Sequence, residues 1–462
     1  MERHFVDCPG LTGPRRVHYR RHGRGPALLM IHQSPRSSAE YEPLMQAWGA
    51  HFTCIAPDTP GFGQSEPLSG KPDVGSGKPD VGSGEADIGD FADALLATMD
   101  ALGLARCAAY GFHSGAVILM EALRRAPHRF TATAMGGYAV WTPAEMRLFG
   151  TRYLPPLEPQ PYGEHLAWLW NRMLEQSWFF PWFAVDDAHR LSVAHDDVAK
   201  VHASVMDMLE AGDAYRAGYG AVLRAERAIP ERGPPTLITA YDGDPLQAHL
   251  GRLGPLPGAW QARPVRTRAS HEAASLDWLR EAEPVPAPPP ADAPDEGFAR
   301  IDQRLIHWLG AGDRLALHAP GGEARPGQGL AVDLPGHGLS DDHRPDENWS
   351  DTVRAIERHF GTHHSEARGS TRAILGAPPV PGAAALVPDL TPTRFGEHLQ
   401  RAWGAARAMR FFEPWNDVSA ATARAFDPAE LELRAIARDA RAYLRARGGR
   451  ALATACEQER NF

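Results

Sequence analysis

The residues with most chemistry to offer sit together in Gly111-Phe112-His113-Ser114-Gly115. An apolar run, Cys107-Ala-Ala-Tyr-Gly-Phe112, leads into them, and Ala116-Val-Ile-Leu-Met120 follows. The pattern is a strand, a tight turn and a helix. Glycines two places either side of the centre let strand and helix approach closely and thrust the central side chain outward. Such a turn normally presents Ser, Cys or Asp as a nucleophile. Here the centre is His113, and Ser114 comes one place late. Three chemistries are open. Ser114 attacks through an altered turn, which requires a base within about 3 Å of its hydroxyl. His113 attacks an activated acyl group as a neutral imidazole, with protonation made costlier by any second imidazole beside it. Or the route is not covalent, and the site does acid–base work or binds a ligand.

Alternating elements position this turn. Ala27-Leu-Leu-Met-Ile31, Phe52-Thr-Cys-Ile-Ala-Pro57, residues 132–140, Pro235–Ala240 and Val265–Ala269 read as strands. Residues 39–48, 87–102 and 272–283 read as helices. Strands buried on both faces and alternating with helices predict an α/β fold with a mostly parallel sheet and right-handed crossovers. Residues 142–230 break the alternation with helical, aromatic-rich sequence, including Trp168, Trp170, Trp178, Phe179, Phe180, Trp182 and Phe183. Their position suggests a cap over a site; a helical dimer surface or plain core packing is the alternative. Gly70–Ser76 and Gly77–Ser83 are an identical Gly- and Pro-rich duplication, read as an inserted flexible loop. Residues 284–296, rich in proline, read as an extended interdomain linker.

The chain beyond the linker echoes the chain before it. Ala331-Val-Asp-Leu-Pro-Gly-His-Gly-Leu-Ser-Asp341 parallels Ala56-Pro-Asp-Thr-Pro-Gly-Phe-Gly-Gln-Ser65. Phe395-Gly-Glu-His-Leu with Phe411-Phe-Glu-Pro-Trp415 parallels Tyr162-Gly-Glu-His-Leu with Phe179-Phe-Pro-Trp182. The order is kept, as expected of an internal repeat. Between Phe360 and Ala373 no strand, turn and helix can be read, so residues 297–462 are expected to form a degenerate, non-catalytic copy that packs on the first.

Composition narrows the class. Hydrophobic residues make up 43% and charged residues 23%, as in ordinary soluble globular chains. A net charge of -9 argues against nucleic acid and anionic membrane as partners. Four cysteines without metal-type spacing suggest buried thiols in a reducing compartment, hence the cytoplasm. The first residues have no apolar signal-peptide core, and no stretch is long enough to span a membrane.

His32-Gln-Ser-Pro35, Asp58-Thr-Pro-Gly-Phe-Gly63, the turn at 111–115, Asp242-Gly-Asp-Pro245 and Ser270-His-Glu-Ala273 occur in an order that resembles the α/β-hydrolase superfamily. The resemblance covers residues 15–283. It implies an α/β-hydrolase domain (1–283) with a helical cap (142–230), the linker (284–296) and an α/β-hydrolase-like repeat (297–462). It makes His271 the general base and Asp244 the acid that orients it, with Asp242 as rival. The backbone N–H groups of Ser34 and of Ser114 would form the oxyanion hole. Gln33 replaces the usual glycine, and His32 reads as a structural histidine bonding the loop backbone. A metal held by His113, His271 and Asp244 is chemically admissible, but no spacing supports it; neither metal nor cofactor is expected. The implied activity is hydrolysis of a small, partly apolar ester or related acyl compound, with Ser114, His113, Asp244 and His271 as catalytic candidates. The alternatives are a non-catalytic ligand-binding or scaffold protein, and an acid–base lyase using His113 and His271. The partner is a small-molecule substrate, and the assembly a homodimer or an intramolecular pseudo-dimer.

Overall fold

The computed structural model describes residues 1–10, 13–68, 86–191, 197–225, 229–312, 315–327, 329–361, 387–413 and 415–458. The duplicated loop at 70–83, and most of the stretch between Phe360 and Ala373, lie outside the described residues. Two compact units are present: Met1–Glu158 with Asn171–Ala293, and Pro159–Trp170 with Pro294–Phe462.

The first unit is built on an eight-stranded sheet. Its strands are β1 (Glu2–Gly10), β2 (Gly13–Gly23), β3 (Ala27–Ile31), β4 (Thr53–Pro57), β5 (Cys107–Phe112), β6 (Phe130–Gly136), β7 (Thr236–Tyr241) and β8 (Trp260–Val265). The spatial order is β1-β2-β4-β3-β5-β6-β7-β8. Only β1, β2 and β4 meet antiparallel; from β4 to β8 every pair is parallel. The apolar runs form these strands because both faces are covered. Along β3, Leu29 and Ile31 enter the core beneath α2 (Ile88–Ala101) and α3 (Ser114–Arg125), while Leu28 and Met30 enter the core on the other side, with α1 (Glu42–Trp48). Along β5, Cys107 and Ala109 take the first face, and Ala108, Tyr110 and Phe112 the second. Helix α2 begins with a reciprocal Asp87–Asp90 capping box.

Among the described residues of the region read as a cap, four α-helices follow: α4 (Pro143–Arg152), α5 (Glu164–Gln176), α6 (Val198–Ala211) and α7 (Tyr215–Arg224). The last strand and helix differ from the sequence reading. Residues 265–269 are not a strand; β8 ends at Val265, and α8 (Arg268–Arg280) starts at once because Thr267 caps it by accepting from Ser270 N–H at 3.0 Å. His271 therefore lies inside the first turn of α8. The proline-rich segment is extended but anchored. Val285 C=O accepts from Ala27 N–H, Pro288 C=O from Arg21, and the Tyr19 hydroxyl pairs with both backbone groups of Ala291. The boundary between units falls at its end, after Ala293.

The second unit has β9 (Glu296–Ile301), β10 (Arg304–Leu309), β11 (Leu315–Leu317) and β12 (Leu330–Val332), with helices α9 (Trp349–Phe360), α10 (Glu397–Ala408), α11 (Leu433–Arg445) and α12 (Gly449–Gln458). Its sheet order, β9-β10-β12-β11, repeats β1-β2-β4-β3 with the same strand directions.

One polar device recurs in both units. Asp58 pairs with His18 Nδ1 at 2.8 Å and accepts from Ser38 N–H and Gln64 N–H at 2.7 and 2.9 Å. Asp333 pairs with His307 Nδ1 at 2.8 Å and accepts from Ala324 N–H and Leu339 N–H at 2.7 and 2.9 Å. In each loop a glycine with positive φ (Gly63, +52; Gly338, +48) leaves room for the carboxylate, which a Cβ would approach to 2.1 Å. Burial opposes ionisation of Asp58, but the His18 charge and hydrogen bond outweigh it and hold the carboxyl well below its ordinary range. A depressed carboxyl contributes stability above its ordinary value that is lost as pH falls through the folded one. Asp58→Asn is expected to lower unfolding free energy by about 3 kcal/mol at pH 6, since one partner of a buried pair is left unmatched. Urea titrations should show the difference shrinking as pH falls from 5 toward 2.

Candidate active site

His113 stands between β5 and α3 with φ 48° and ψ -113°, a conformation that costs a non-glycine residue on the order of 1–3 kcal/mol. The glycines on either side make it attainable. A Cβ at Gly111 would fall 2.7 Å from Gly115 C=O, and one at Gly115 would fall 2.0 Å from Ile31 C=O. The His113 ring stacks on Phe112 with centroids 4.1 Å apart. Its Nε2 lies 3.2 and 3.3 Å from the two oxygens of Asp244. Nδ1 makes no hydrogen bond among the described residues. Gly137, at φ +56°, admits the ring: a Cβ there would fall 2.3 Å from its Cδ2.

Asp244 follows β7, in a turn where its N–H donates to Tyr241 C=O at 3.0 Å. Its side chain is fully buried and accepts from Leu246 N–H at 2.8 Å. Burial works against the anion, yet the His113 charge and hydrogen bond and the Leu246 donor prevail, so the carboxyl stays below its ordinary value. Asp242, the rival, accepts instead from the Gln247 amide.

Ser114 is the first residue of α3, buried, and accepts a 2.5 Å hydrogen bond from Ser34 N–H. Two expectations change. Among the described residues no histidine reaches the Ser114 hydroxyl, so it lacks the base a serine nucleophile requires. The Ser34 N–H, expected in an oxyanion hole, is already spent on that hydroxyl. The Ser114 N–H sits in the first turn of α3, whose N–H groups have no intrahelical acceptor.

His271 is not hydrogen-bonded to Ser114 either. It is 1% exposed, with Nδ1 2.5 Å from Thr239 Oγ1 and Nε2 2.8 Å from the Tyr110 hydroxyl. The early start of α8 turns it inward, beneath Gly136, where a Cβ would fall 2.7 Å from the ring. A neutral imidazole donates from one nitrogen and accepts at the other, and two hydroxyls satisfy both. Burial pushes His271 down to about 4. Both its nitrogens being engaged, it cannot join His113 and Asp244 around a metal. Tyr110 and Thr239 carried no sequence signal beyond membership of apolar strands.

Residues 26–154 match the model of the alpha/beta hydrolase fold family. The first unit has the α/β-hydrolase fold. A 55-residue stretch is 44% identical to haloalkane dehalogenase 2 of Mycobacterium tuberculosis (strain ATCC 25618 / H37Rv); it covers 12% of this chain and spans only 19% of that relative's length. Among solved structures, a hydrolase from Pseudomonas aeruginosa PA01 is 18% identical with a TM-score of 0.44, covering 60% of this chain and 98% of that one. Epoxide hydrolase A from Mycobacterium thermoresistibile is 17% identical with a TM-score of 0.44, covering 61% and 99%. The enol-lactonase from Burkholderia xenovorans LB400 is 18% identical with a TM-score of 0.41, covering 58% and 97%.

In this unit, His113 opens into a cavity of 780 Å³. Trp141, Phe149, Tyr153, Phe180 and Tyr219 give it an aromatic lining, and Gln33, Ser34 and Arg268 contribute polar groups. The loop bearing Ser34 is held to α6, where Asp207 accepts from Arg36 at 2.6 Å and from the Ser37 hydroxyl at 2.7 Å. His32 is structural: Nδ1 meets Gln33 C=O at 3.0 Å and Nε2 accepts from Thr59 N–H at 2.9 Å. No helix among the described residues is long and apolar enough to cross a membrane.

Buried neutral His271 predicts a pH-dependent stability. Its folded value, about 4, lies below the ordinary 6.5, so its contribution is present above 6.5 and lost as pH falls through 4. Relative to a His271→Gln variant, the parent protein is expected to lose on the order of 3 kcal/mol of unfolding free energy between pH 7 and pH 4. Urea unfolding at the two pH values measures it.

Proposed function

We propose that the first unit hydrolyses a small, partly apolar ester or related acyl compound with the His113–Asp244 pair as general base toward water, and with no acyl-enzyme on Ser114. The observation that carries this reading is the position of His113. It occupies the exposed apex of the turn, with Nε2 facing a buried anionic carboxylate and a ring 24% exposed toward the cavity.

In the proposed step, Nδ1 takes a proton from water as the water oxygen bonds to the acyl carbon. The carbonyl π electrons move to its oxygen, forming a tetrahedral intermediate. Asp244 holds the resulting imidazolium through Nε2–H and offsets its charge. The intermediate then re-forms its carbonyl and expels the alkoxide, which takes the proton from Nδ1. Acid and alcohol leave, and the neutral ring is restored. The aromatic lining favours an apolar acyl or alcohol group. The net charge of -9 supports a small molecule over nucleic acid as partner. Cys8, Cys54 and Cys107 are buried free thiols, with burial pushing Cys54 and Cys107 up to about 12, which supports a reducing, cytoplasmic setting.

Substitution kinetics on aryl esters of short acids test the assignment. Ser114→Ala is expected to retain activity within about threefold, while His113→Gln and Asp244→Asn each lose at least about 100-fold in kcat. No burst of alcohol should precede steady state. Fluorophosphonate labelling at Ser114, abolished together with turnover in Ser114→Ala, would sink the water-attack mechanism. Absence of turnover across an ester panel, combined with tight binding of a small apolar ligand, would replace the hydrolase with a binding protein.

A further inference from the structure

A phrase of sequence occurs twice, as Tyr162-Gly-Glu-His-Leu166 and Phe395-Gly-Glu-His-Leu399. Each leads into a helix, α5 and α10, and each is followed at the same distance by a tryptophan, Trp170 and Trp403. The segment Pro159–Trp170 and the whole of α10 lie in the second unit. Their contact is reciprocal. The Trp170 indole N–H donates to Arg394 C=O at 3.0 Å, and the Trp403 indole N–H points to Pro161 C=O at 3.3 Å. Arg394 and Pro161 hold the same place in the two copies. Trp170 stands edge-on to His398 (5.1 Å, 86°), and Trp403 edge-on to His165 (4.9 Å, 77°). Each indole also lies on the other copy's glycine: a Cβ at Gly396 would fall 2.5 Å from Trp170, and one at Gly163 2.8 Å from Trp403. Both glycines have positive φ, +76° and +81°. His165 Nδ1 accepts from Gln160 N–H, and His398 Nδ1 from Thr393 N–H.

The likeness runs on past both helices. Phe179 bridges to Arg190, as Phe412 does to Ala423. Phe180 N–H donates to His189 C=O, as Glu413 N–H does to Thr422 C=O. Every pair keeps one constant separation along the chain. Two unrelated helices have no reason to pack with each residue i on j and each j on i. Reciprocity of that kind is the mark of a two-fold axis acting on two copies of one surface. The two tryptophans, 1% and 2% exposed, are the sort of aromatic anchors that carry such interfaces.

We infer that this contact is a two-fold homodimer interface closed within one polypeptide: residues 294–462 supply the partner copy, and the α5 surface that would receive a second chain is occupied by the chain's own repeat. The chain is accordingly a monomer as far as this surface is concerned. The arrangement accounts for a second copy that has kept the interface phrase intact.

Cleavage after folding tests it. A site-specific protease sequence inserted between Ala293 and Pro294 lets the intact, folded protein be cut into its two halves. The cut halves are expected to co-elute at the mass of one chain. Trp170→Ala and Trp403→Ala should each weaken their association by about thirtyfold, and to the same extent within about threefold, because each indole fills the same pocket. Circular dichroism on the uncut variants checks that they fold. Gln400→Ala with Arg407→Ala, which removes only rim hydrogen bonds to Gly163 C=O and Pro161 C=O, gives a milder second arm and should weaken association about fivefold. The inference is overturned if the halves of the parent protein separate, if they co-elute at twice the chain mass, or if the variants associate as tightly as the parent.

Discussion

The turn at His113 exists only because backbone passes backbone at almost no distance on both sides of it. Gly115 lies on the carbonyl of Ile31, and Gly111 on that of Gly115, so neither position tolerates a side chain without moving β3, β5 or α3. Strands β3 and β5 are buried throughout and α3 from Ser114 to Leu123, and their packing holds His113 at φ 48° against its local preference. The position of the imidazole, the reach of Asp244 and the floor of the cavity all follow from that one forced conformation.

Charge is then distributed by burial and partner. Two histidines lie against Phe112 and fare differently. His113 faces a carboxylate and an open cavity. His271 faces two hydroxyls in an enclosed space, where only the neutral ring is satisfied. Asp244, after β7, is paired with His113 on the turn and is not hydrogen-bonded to His271. With the Ser114 hydroxyl bonded to the Ser34 N–H, the imidazole is the side chain that the turn itself presents to the cavity.

The two units share construction as well as sequence. The His18–Asp58 and His307–Asp333 pairs are built alike down to the backbone donors that hold each carboxylate, and the leading four strands of each sheet share their order. A buried carboxylate held by three donors is costly to strip of one partner at a time, which gives a physical reason for the pair to persist in both. In the second unit the geometry shared with the first is that of the four leading strands and of the segment around α10. No described residue there stands on a turn of the His113 kind.

Much of this was legible in the amino-acid order. The unbroken apolar runs identified strands covered on both faces, the glycine spacing located the turn, and the repeated phrases marked the two related segments. Those signals are local, because propensity, steric size and burial periodicity act within a few residues. The family resemblance pointed to Asp244, with Asp242 as rival, but not to the histidine it meets. Which histidine met it depended on where α8 began, and that was set by the Thr267 cap. The loss of Ser34 N–H to the Ser114 hydroxyl is a contact between residues 80 positions apart in the chain. The reciprocal seating of Trp170 and Trp403 spans a still longer separation. Such pairings depend on how whole elements are brought together, so only the tertiary structure decided them.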